Sequence, residues 1–237
     1  MSEFASSCSQ LEMLAVINKA YEETRQEFKK WTIDPKCVSY VCPPATSPDE
    51  GFTIFYTPVV YRPKLLIVGQ NPANFSGGFR PALEDTPNRM MLSGIIPSEN
   101  TYLTHNHSFA RRLREAFLND EHLLKDAVGM NVWHYQAVLD ASKAPFVLRR
   151  FCETTTRHII SVINPIVIIC IGSHAFNAIP GNRSEILNLA RDVRQFDTNA
   201  TRVIGLPHIT GSYSWEACSK AMPVVIAALR SYLTAPK

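Results

Sequence analysis

Four short apolar runs, each separated from the next by a segment with helical periodicity, restrict what this chain can fold into. They occupy residues 65–68, 128–132, 166–171 and 202–206. Apolar runs of this length are typical of strands that are buried on both faces. Strands that alternate with helices predict a parallel sheet covered on both sides. The sequence therefore predicts an α/β protein, with three α-β-α layers around a central four-stranded parallel sheet.

The segment before the first run divides into a helix and a connector. Ser9 and Glu12 form a capping-box pattern, and apolar residues recur at helical spacing up to Trp31. Residues 32–63 are rich in proline and predict an irregular connector that crosses the surface, in which FTIFY (52–56) is a candidate for a short extended piece. We expect one domain over residues 1–237, in which this N-terminal part (1–62) precedes an α/β core (63–237).

The segments between the apolar runs carry the helix signals. Residues 108–118 and 145–163 are predicted helices, and Ser173 is a plausible N-cap of a short third one. The last helix should start near Ser214, and Pro223 should kink it or mark a new first turn, because an interior proline removes a hydrogen bond.

Composition limits the location and the cysteine chemistry. The chain has no apolar stretch of 18 residues, and its N-terminus lacks a basic signal region, so we expect a cytoplasmic protein without a membrane span. Its six cysteines should then be reduced. A four-thiolate cluster of Cys37, Cys42, Cys152 and Cys170 is conceivable by spacing. The position of Cys170 within an apolar run favours a core residue instead, so no metal is expected.

A polar loop follows each of the four apolar runs. These loops contain GQNPANF from residue 69, NVWHY from residue 131, IGSHAF from residue 171 and PHITGS from residue 207. The carboxyl ends of parallel strands meet at one edge of a sheet, which is where α/β proteins bind their ligands. Asn71 and His208 are therefore predicted to face one pocket, although they are far apart in the chain.

In this order and context, the four motifs resemble the uracil-DNA glycosylase superfamily. The resemblance covers roughly residues 63–233, and it implies a four-stranded parallel sheet between helices. It also implies a monofunctional DNA glycosylase that acts on a base flipped out of the stack. The reaction would use water without a metal or organic cofactor. The partner would be single- or double-stranded DNA that carries a deaminated or modified pyrimidine.

The resemblance assigns catalytic roles to Asn71 and His208. Glycosidic bond cleavage needs a water near the sugar and a donor at the base oxygen that gains negative charge, and a neutral imidazole suits the donor role. Asn71 stands where the classical branch has aspartate, so the chain is closer to the single-strand-selective and mismatch-specific branches. An amide can only orient a water. The alternatives are that His208 bonds the loop backbone and that Asn71 makes a turn with Pro72.

Five residues are predicted to bind the base: Gln70, Ala73, Phe75, Phe79 and Asn131. In the classical branch a tyrosine at the position of Ala73 closes the pocket. The small side chain of Ala73 would leave the pocket open to 5-substituted pyrimidines. Phe75 or Phe79 would stack on the base. Asn131 would read its Watson–Crick edge, and its amide complements uracil in one orientation and cytosine in the other.

Four further residues match DNA-contacting loops of the same family: Ser173, Thr210, Ser212 and Tyr213. Ser173 and Thr210 carry hydroxyls where relatives bind phosphates, and hydroxyls near helix N-termini are natural phosphate ligands. Ser212 stands at the position of the bulky wedge residue. Tyr213 is the better wedge by size, unless the substrate is already unpaired.

The charge of the chain does not decide whether it has a DNA-binding surface. The formal net charge is +3, which permits nucleic acid binding without requiring it. Two clusters, one of Arg111, Arg112 and Arg114 and one of Arg149 and Arg150, are either solvated helix faces or phosphate contacts.

Three other functions remain possible from the sequence. The first is a glycosylase against hypermodified cytosine, such as glucosylated hydroxymethylcytosine, in phage DNA. The second is a catalytically silent DNA- or nucleobase-binding module, for which Asn71 in place of aspartate is the main argument. The third is an unrelated small-molecule-binding α/β protein, although the chain lacks the usual glycine-rich phosphate signatures.

Overall fold

The computed structural model describes nine segments of the chain: residues 2–41, 51–72, 94–106, 108–118, 120–135, 141–179, 194–198, 201–209 and 212–234. Their α-helices are α1 Ser2–Trp31, α2 Thr101–Thr104, α3 Ser108–Ala116, α4 Glu121–Lys125, α5 Phe146–Ile163, α6 Ser173–Ala178 and α7 Ser212–Thr234. A single 3₁₀ turn, Ala141–Lys143, precedes α5. Their strands are β1 Leu65–Gly69, β2 Val128–Asn131, β3 Val167–Ile171, β4 Arg194–Thr198 and β5 Thr201–Leu206.

The strands form one sheet in the order β2-β1-β3-β5-β4. The first four are parallel to one another, and they coincide with the four predicted strands. The predicted central four-stranded parallel sheet is therefore confirmed. β4, which pairs antiparallel with β5, was not predicted, because its sequence RQFDT is too polar to stand out as a buried run.

Helices cover both faces of the sheet. Alternate strand residues point to opposite faces. Leu66 and Val68 belong to one apolar cluster together with residues of α1, α5 and α6. Leu65 and Ile67 belong to a second cluster with residues of α3, α4 and α7. The central sheet thus lies between two helical layers.

Two helix predictions need correction. α1 begins at Ser2, so Ser9 and Glu12 lie inside the helix and do not cap it. The residues before Ser9 include no proline or glycine that would stop the helix from extending toward the N-terminus. α7 begins at Ser212 and continues through Pro223, so a new first turn at that proline is wrong.

The connector after α1 does not simply cross the surface. Residues 51–57 are buried and run antiparallel to the outer side of β2. The Thr53 amide donates to the His134 carbonyl at 2.7 Å, and the Tyr56 amide donates to the Gly129 carbonyl at 2.8 Å. This segment therefore satisfies backbone groups that an edge strand would otherwise leave unpaired. It also brings the Tyr56 side chain into the sheet's interior.

Four of the six cysteines have side chains that the structure describes. Cys37, Cys152, Cys170 and Cys218 are free, buried thiols. Cys170 is a core residue of β3, and burial raises the pKa of its thiol far above the ordinary value. Cys42 lies outside the described residues. Within the described part of the chain, no helix combines the length and the apolar character needed to cross a membrane.

Candidate active site

The carboxyl ends of the four parallel strands form one row across the sheet. Gly69 pairs with Asn131 and Ile171 pairs with Leu206. The β1–β3 register, which pairs Val68 with Cys170, brings these two pairs to the same level. The loops that carry the predicted site residues therefore leave the sheet side by side.

Asn71 and His208 lie at the same edge of the sheet. Each lies two residues beyond the last residue of its strand. The two strands, β1 and β5, are neighbours of β3 on its two sides. Two inter-strand spacings amount to about 10 Å. A nucleotide can span the separation of these two strands. That Asn71 and His208 face one pocket stays a prediction. Their chemical roles remain predictions.

Asn131 packs directly over Gly69. A β-carbon at position 69 would lie 2.9 Å from Asn131 Oδ1 and 4.0 Å from the edge of the Phe109 ring. The distance of 2.9 Å is too short for a real β-carbon. Any residue other than glycine at position 69 would therefore displace the Asn131 carboxamide. The space in front of Gly69 is thus bounded by an amide oxygen on one side and an aromatic ring on the other.

A buried tyrosine holds the Asn131 amide. Asn131 is only 2 % exposed, and its Nδ2 donates to the Tyr56 hydroxyl at 2.6 Å. Burial raises the pKa of the Tyr56 phenol well above its ordinary value, so the hydroxyl stays neutral. This bond turns Asn131 Oδ1 toward Gly69. Sequence reasoning missed Tyr56, although FTIFY is a β-branched and aromatic run of the kind that favours burial.

Three aromatic rings lead from this bond to the surface. The Tyr56 and Tyr102 ring centroids are 5.9 Å apart, and those of Tyr102 and Phe109 are 5.8 Å apart. Phe109, in the first turn of α3, is half-buried and lies nearest to Gly69. It is therefore an aromatic candidate for contacting a base, which sequence reasoning treated only as part of an apolar helix face.

His208 lies against the turn that follows β3. Gly172 has a positive φ of 89°, and a β-carbon there would lie 3.4 Å from His208 Cδ2. His208 is half-buried, and this burial lowers the pKa of its imidazole below the ordinary value. The imidazole is therefore neutral at neutral pH and can donate one N–H.

An arginine from α3 fixes the His208 loop. Arg112 Nη1 donates to the carbonyl oxygen of Ile209, and the guanidinium carbon lies 5.3 Å from the centre of the Trp215 ring in α7. Arg114 Nη1 likewise donates to backbone carbonyls, at 2.6 Å to Tyr102 and 2.7 Å to His105. The basic cluster on α3 is thus not a uniformly solvated face, because two of its three arginines hold loop backbones.

The β1 and β2 loops are joined by backbone contacts. The Trp133 amide donates to the Gln70 carbonyl at 2.8 Å, and Gln70 is half-buried. Asn71 Nδ2 donates to the Pro72 carbonyl at 2.7 Å, which supports the turn interpretation. With Nδ2 so engaged, Asn71 Oδ1 is the atom able to accept a hydrogen bond from a water. The turn and the catalytic interpretations are therefore compatible.

No known protein-family model matches this chain, and a search of curated proteins found no match. The site must therefore be interpreted from its own residues. The strand-end segments 69–72, 131–135, 171–174 and 206–209 contain no aspartate, glutamate, lysine or arginine. Their chemistry is that of neutral donors and acceptors, which can stabilise a leaving anion and orient a water. They provide neither a carboxylate base nor a lysine for an imine.

The remaining predicted residues have mixed outcomes. Ala73, Phe75, Phe79 and Thr210 lie outside the described residues. Ser212 and Tyr213 are the first two residues of α7, so the predicted wedge would stand at a helix start. Ser173 is half-buried, and its interpretation as an N-cap is wrong. Gly172 occupies that position because the turn requires a positive φ, and it has no capping side chain.

A surface groove of about 380 Å³ lies along the outer side of α3 and α4. It is lined by Arg111, Arg114, Glu115, Leu118 and Glu121. None of the strand-end residues contributes to it. We therefore place the candidate active site at the sheet edge, where the predicted site residues follow or end the strands, and not in this groove.

Proposed function

We propose that this chain is a monofunctional DNA glycosylase of the uracil-DNA glycosylase type. It hydrolyses the N-glycosidic bond of a flipped-out uracil or 5-modified pyrimidine and leaves an abasic site. The observation that carries the proposal is that Asn131, the last residue of β2, lies at the same sheet edge as Asn71 and His208, which follow β1 and β5 by two residues each.

His208 supplies the main electrostatic contribution. When the bond between the sugar C1′ and the base nitrogen breaks, the electron pair stays with the base and the sugar becomes oxocarbenium-like. A neutral imidazole N–H directed at the base oxygen stabilises the charge that develops there. The lowered pKa of His208 supports this role, because it keeps the imidazole neutral at neutral pH with one N–H to donate.

Asn71 orients the water that completes the reaction. The water adds to C1′ and releases its proton to solvent. An amide cannot accept that proton, so Asn71 Oδ1 can only hold the water in position. The reaction therefore depends on how far the base departs before water attacks, and so on His208.

Asn131 holds the base edge. Its Oδ1, turned toward Gly69 by the Tyr56 hydrogen bond, accepts an N–H from the base. Uracil offers N3–H and cytosine offers its 4-amino group, so this geometry suits either base. A glycosylase against hypermodified cytosine in phage DNA is therefore the second candidate, favoured by the small side chain of Ala73 on the predicted C5 side.

The proposal includes a cytoplasmic location, where the free thiols would remain reduced. An oligonucleotide panel tests the activity. Single- and double-stranded DNA with one uracil, thymine, 5-hydroxymethyluracil or glucosylated hydroxymethylcytosine is incubated with the protein and cleaved with alkali. Strand breaks at one of these bases support a glycosylase. DNA binding without strand breaks at any base would instead indicate the silent module.

A further inference from the structure

The first turns of α5 project beyond the site edge of the sheet. Thr156 Oγ1 lies 3.3 Å from the Asn131 carbonyl oxygen and 3.0 Å from that of Val132, which sets the level of Thr156 at the end of β2. α5 begins ten residues earlier, at Phe146. Because α5 connects two parallel strands, it runs antiparallel to them. Its N-terminal end therefore rises about 15 Å past the strand ends.

This projecting end exposes apolar and basic side chains together. Phe146 is 66 % exposed and Val147 is 63 % exposed, although both are large and apolar. The Arg150 guanidinium lies 5.7 Å from the centre of the Phe146 ring. Lys143, in the preceding 3₁₀ turn, is also exposed. We call Lys143, Phe146, Val147 and Arg150 the α5 tip.

The described residues at the start of α5 carry cations. Residues 141–152 contain Lys143, Arg149 and Arg150 and no acidic residue, and the carboxylates that flank this range in the sequence are those of Asp140 and Glu153. Glu153 accepts from Trp133 Nε1 at 3.3 Å and lies 3.9 Å from the Arg157 guanidinium. The α5 tip therefore offers cations to a polyanion beside an exposed aromatic ring.

We propose that the α5 tip binds the single-stranded DNA next to the target nucleotide, with a base stacked on Phe146 and phosphates contacted by Lys143 and Arg150. This inference rests on the proposed function. An exposed aromatic ring between cations is the usual means of binding single strands, whose bases present free faces. A duplex hides those faces.

Fluorescence anisotropy with the full chain tests this. The probes are fluorescein-labelled single-stranded (dT)12 and the duplex (dT)12·(dA)12. Phe146→Ala should weaken (dT)12 binding by about five- to tenfold, the lower range for one base–aromatic stack, because the ring is covered on one side only. Arg150→Ala should weaken it and reduce the slope of log affinity against log salt by about one. The duplex should bind more weakly and be less sensitive to Phe146→Ala.

Matched controls come from α1. Leu11 is exposed and apolar, and Lys19 is exposed and pairs only loosely with Glu23 at 3.8 Å. Leu11→Ala and Lys19→Ala should leave (dT)12 affinity unchanged. Unfolding midpoints of the Phe146 and Arg150 variants should match the wild type, because both side chains are exposed.

The possible outcomes separate this inference from the proposed function. Weaker (dT)12 binding by the tip variants supports the α5 tip even if no base in the panel is excised, and the glycosylase proposal alone would then fail. Wild-type affinity in both variants overturns the α5 tip even if excision is observed. Failure of the wild type to bind (dT)12, or a change only in self-association on sedimentation, also overturns it.

Discussion

Asn131 Oδ1 lies 2.9 Å from the position that a β-carbon on Gly69 would occupy. Gly69, which ends β1, therefore packs closely against Asn131, which ends β2. A glycine at position 69 leaves the Asn131 carboxamide in place. Because the Tyr56 hydroxyl holds the other end of the same amide at 2.6 Å, its orientation is set from two sides.

Gly69→Ala should displace this amide and lower the rate of base excision. A displacement of about 1 Å in a positioned group costs on the order of 100-fold in rate. The added methyl should also cost about 1–3 kcal/mol of unfolding free energy, since the site is closely packed. Single-turnover excision and urea unfolding measure the two effects. An unchanged excision rate would mean that Asn131 does not contact the base.

Tyr56→Phe and Tyr102→Phe form a matched pair. Removing the Tyr56 hydroxyl leaves the buried Asn131 Nδ2 without its acceptor, which should cost about 1–3 kcal/mol of unfolding free energy and slow excision. Among the described residues, the buried Tyr102 hydroxyl has no hydrogen-bond partner. Tyr102→Phe should therefore be neutral or slightly stabilising. Equal losses from both variants in urea unfolding would contradict the assigned Tyr56–Asn131 bond.

The apolar runs predicted the sheet well, because β1, β2, β3 and β5 are buried along nearly their whole length. β4 was missed because it pairs on one side only, which a polar sequence tolerates. The start of α1 was placed too late because a capping pattern can also occur inside a helix.

The sequence predicted the place of a candidate residue in the fold where that residue ends a strand, as Asn131 does, or follows one closely, as Asn71 and His208 do. The place of a residue was not predictable where distant segments fold in from the side. Tyr56 comes from a proline-rich connector, and Phe109 and Arg112 come from a helix whose apolar spacing indicates only packing. Their roles depend on how α3 and the connector lie against the sheet, and sequence spacing carries no information about that arrangement.

Arg112→Gln should slow excision by about tenfold, because the His208 loop loses the hydrogen bond to the Ile209 carbonyl and the contact with Trp215. Arg111, one residue earlier, is exposed, and among the described residues its guanidinium pairs with Glu115 at 4.0 Å. Arg111→Gln is therefore the control and should retain the wild-type rate on short oligonucleotides. If the two variants lose activity equally, the positive charge of the two arginines matters for excision, and the support of the His208 loop by Arg112 does not.

His134 should make stability depend on pH. Its imidazole is fully buried, and burial lowers its pKa to about 3. The unfolded chain, in which the pKa is about 6.5, then binds a proton that the folded chain does not. Stability should therefore fall as the pH drops below about 6, by about 1.4 kcal/mol per pH unit from this group. Above pH 7 the contribution is constant.

His134→Gln isolates this contribution. Glutamine does not titrate and can still bond to Thr156, whose hydroxyl oxygen lies 3.1 Å from His134 Nε2. Urea unfolding between pH 4 and pH 7 should show a shallower loss of stability in the variant than in the wild type. Parallel curves would mean that the pKa of His134 is the same in the folded and the unfolded protein.

The rate of base excision by His208→Ala tests the central claim most directly. Wild type and variant are compared under single-turnover conditions on the best substrate of the oligonucleotide panel, with alkaline cleavage as the readout. The variant should be about 100- to 1000-fold slower, the usual cost of removing a donor to a developing anion. Its unfolding midpoint should stay close to that of the wild type. Equal rates for wild type and variant, or a wild type that excises no base in the panel, would contradict the assignment of this sheet edge as a glycosylase active site.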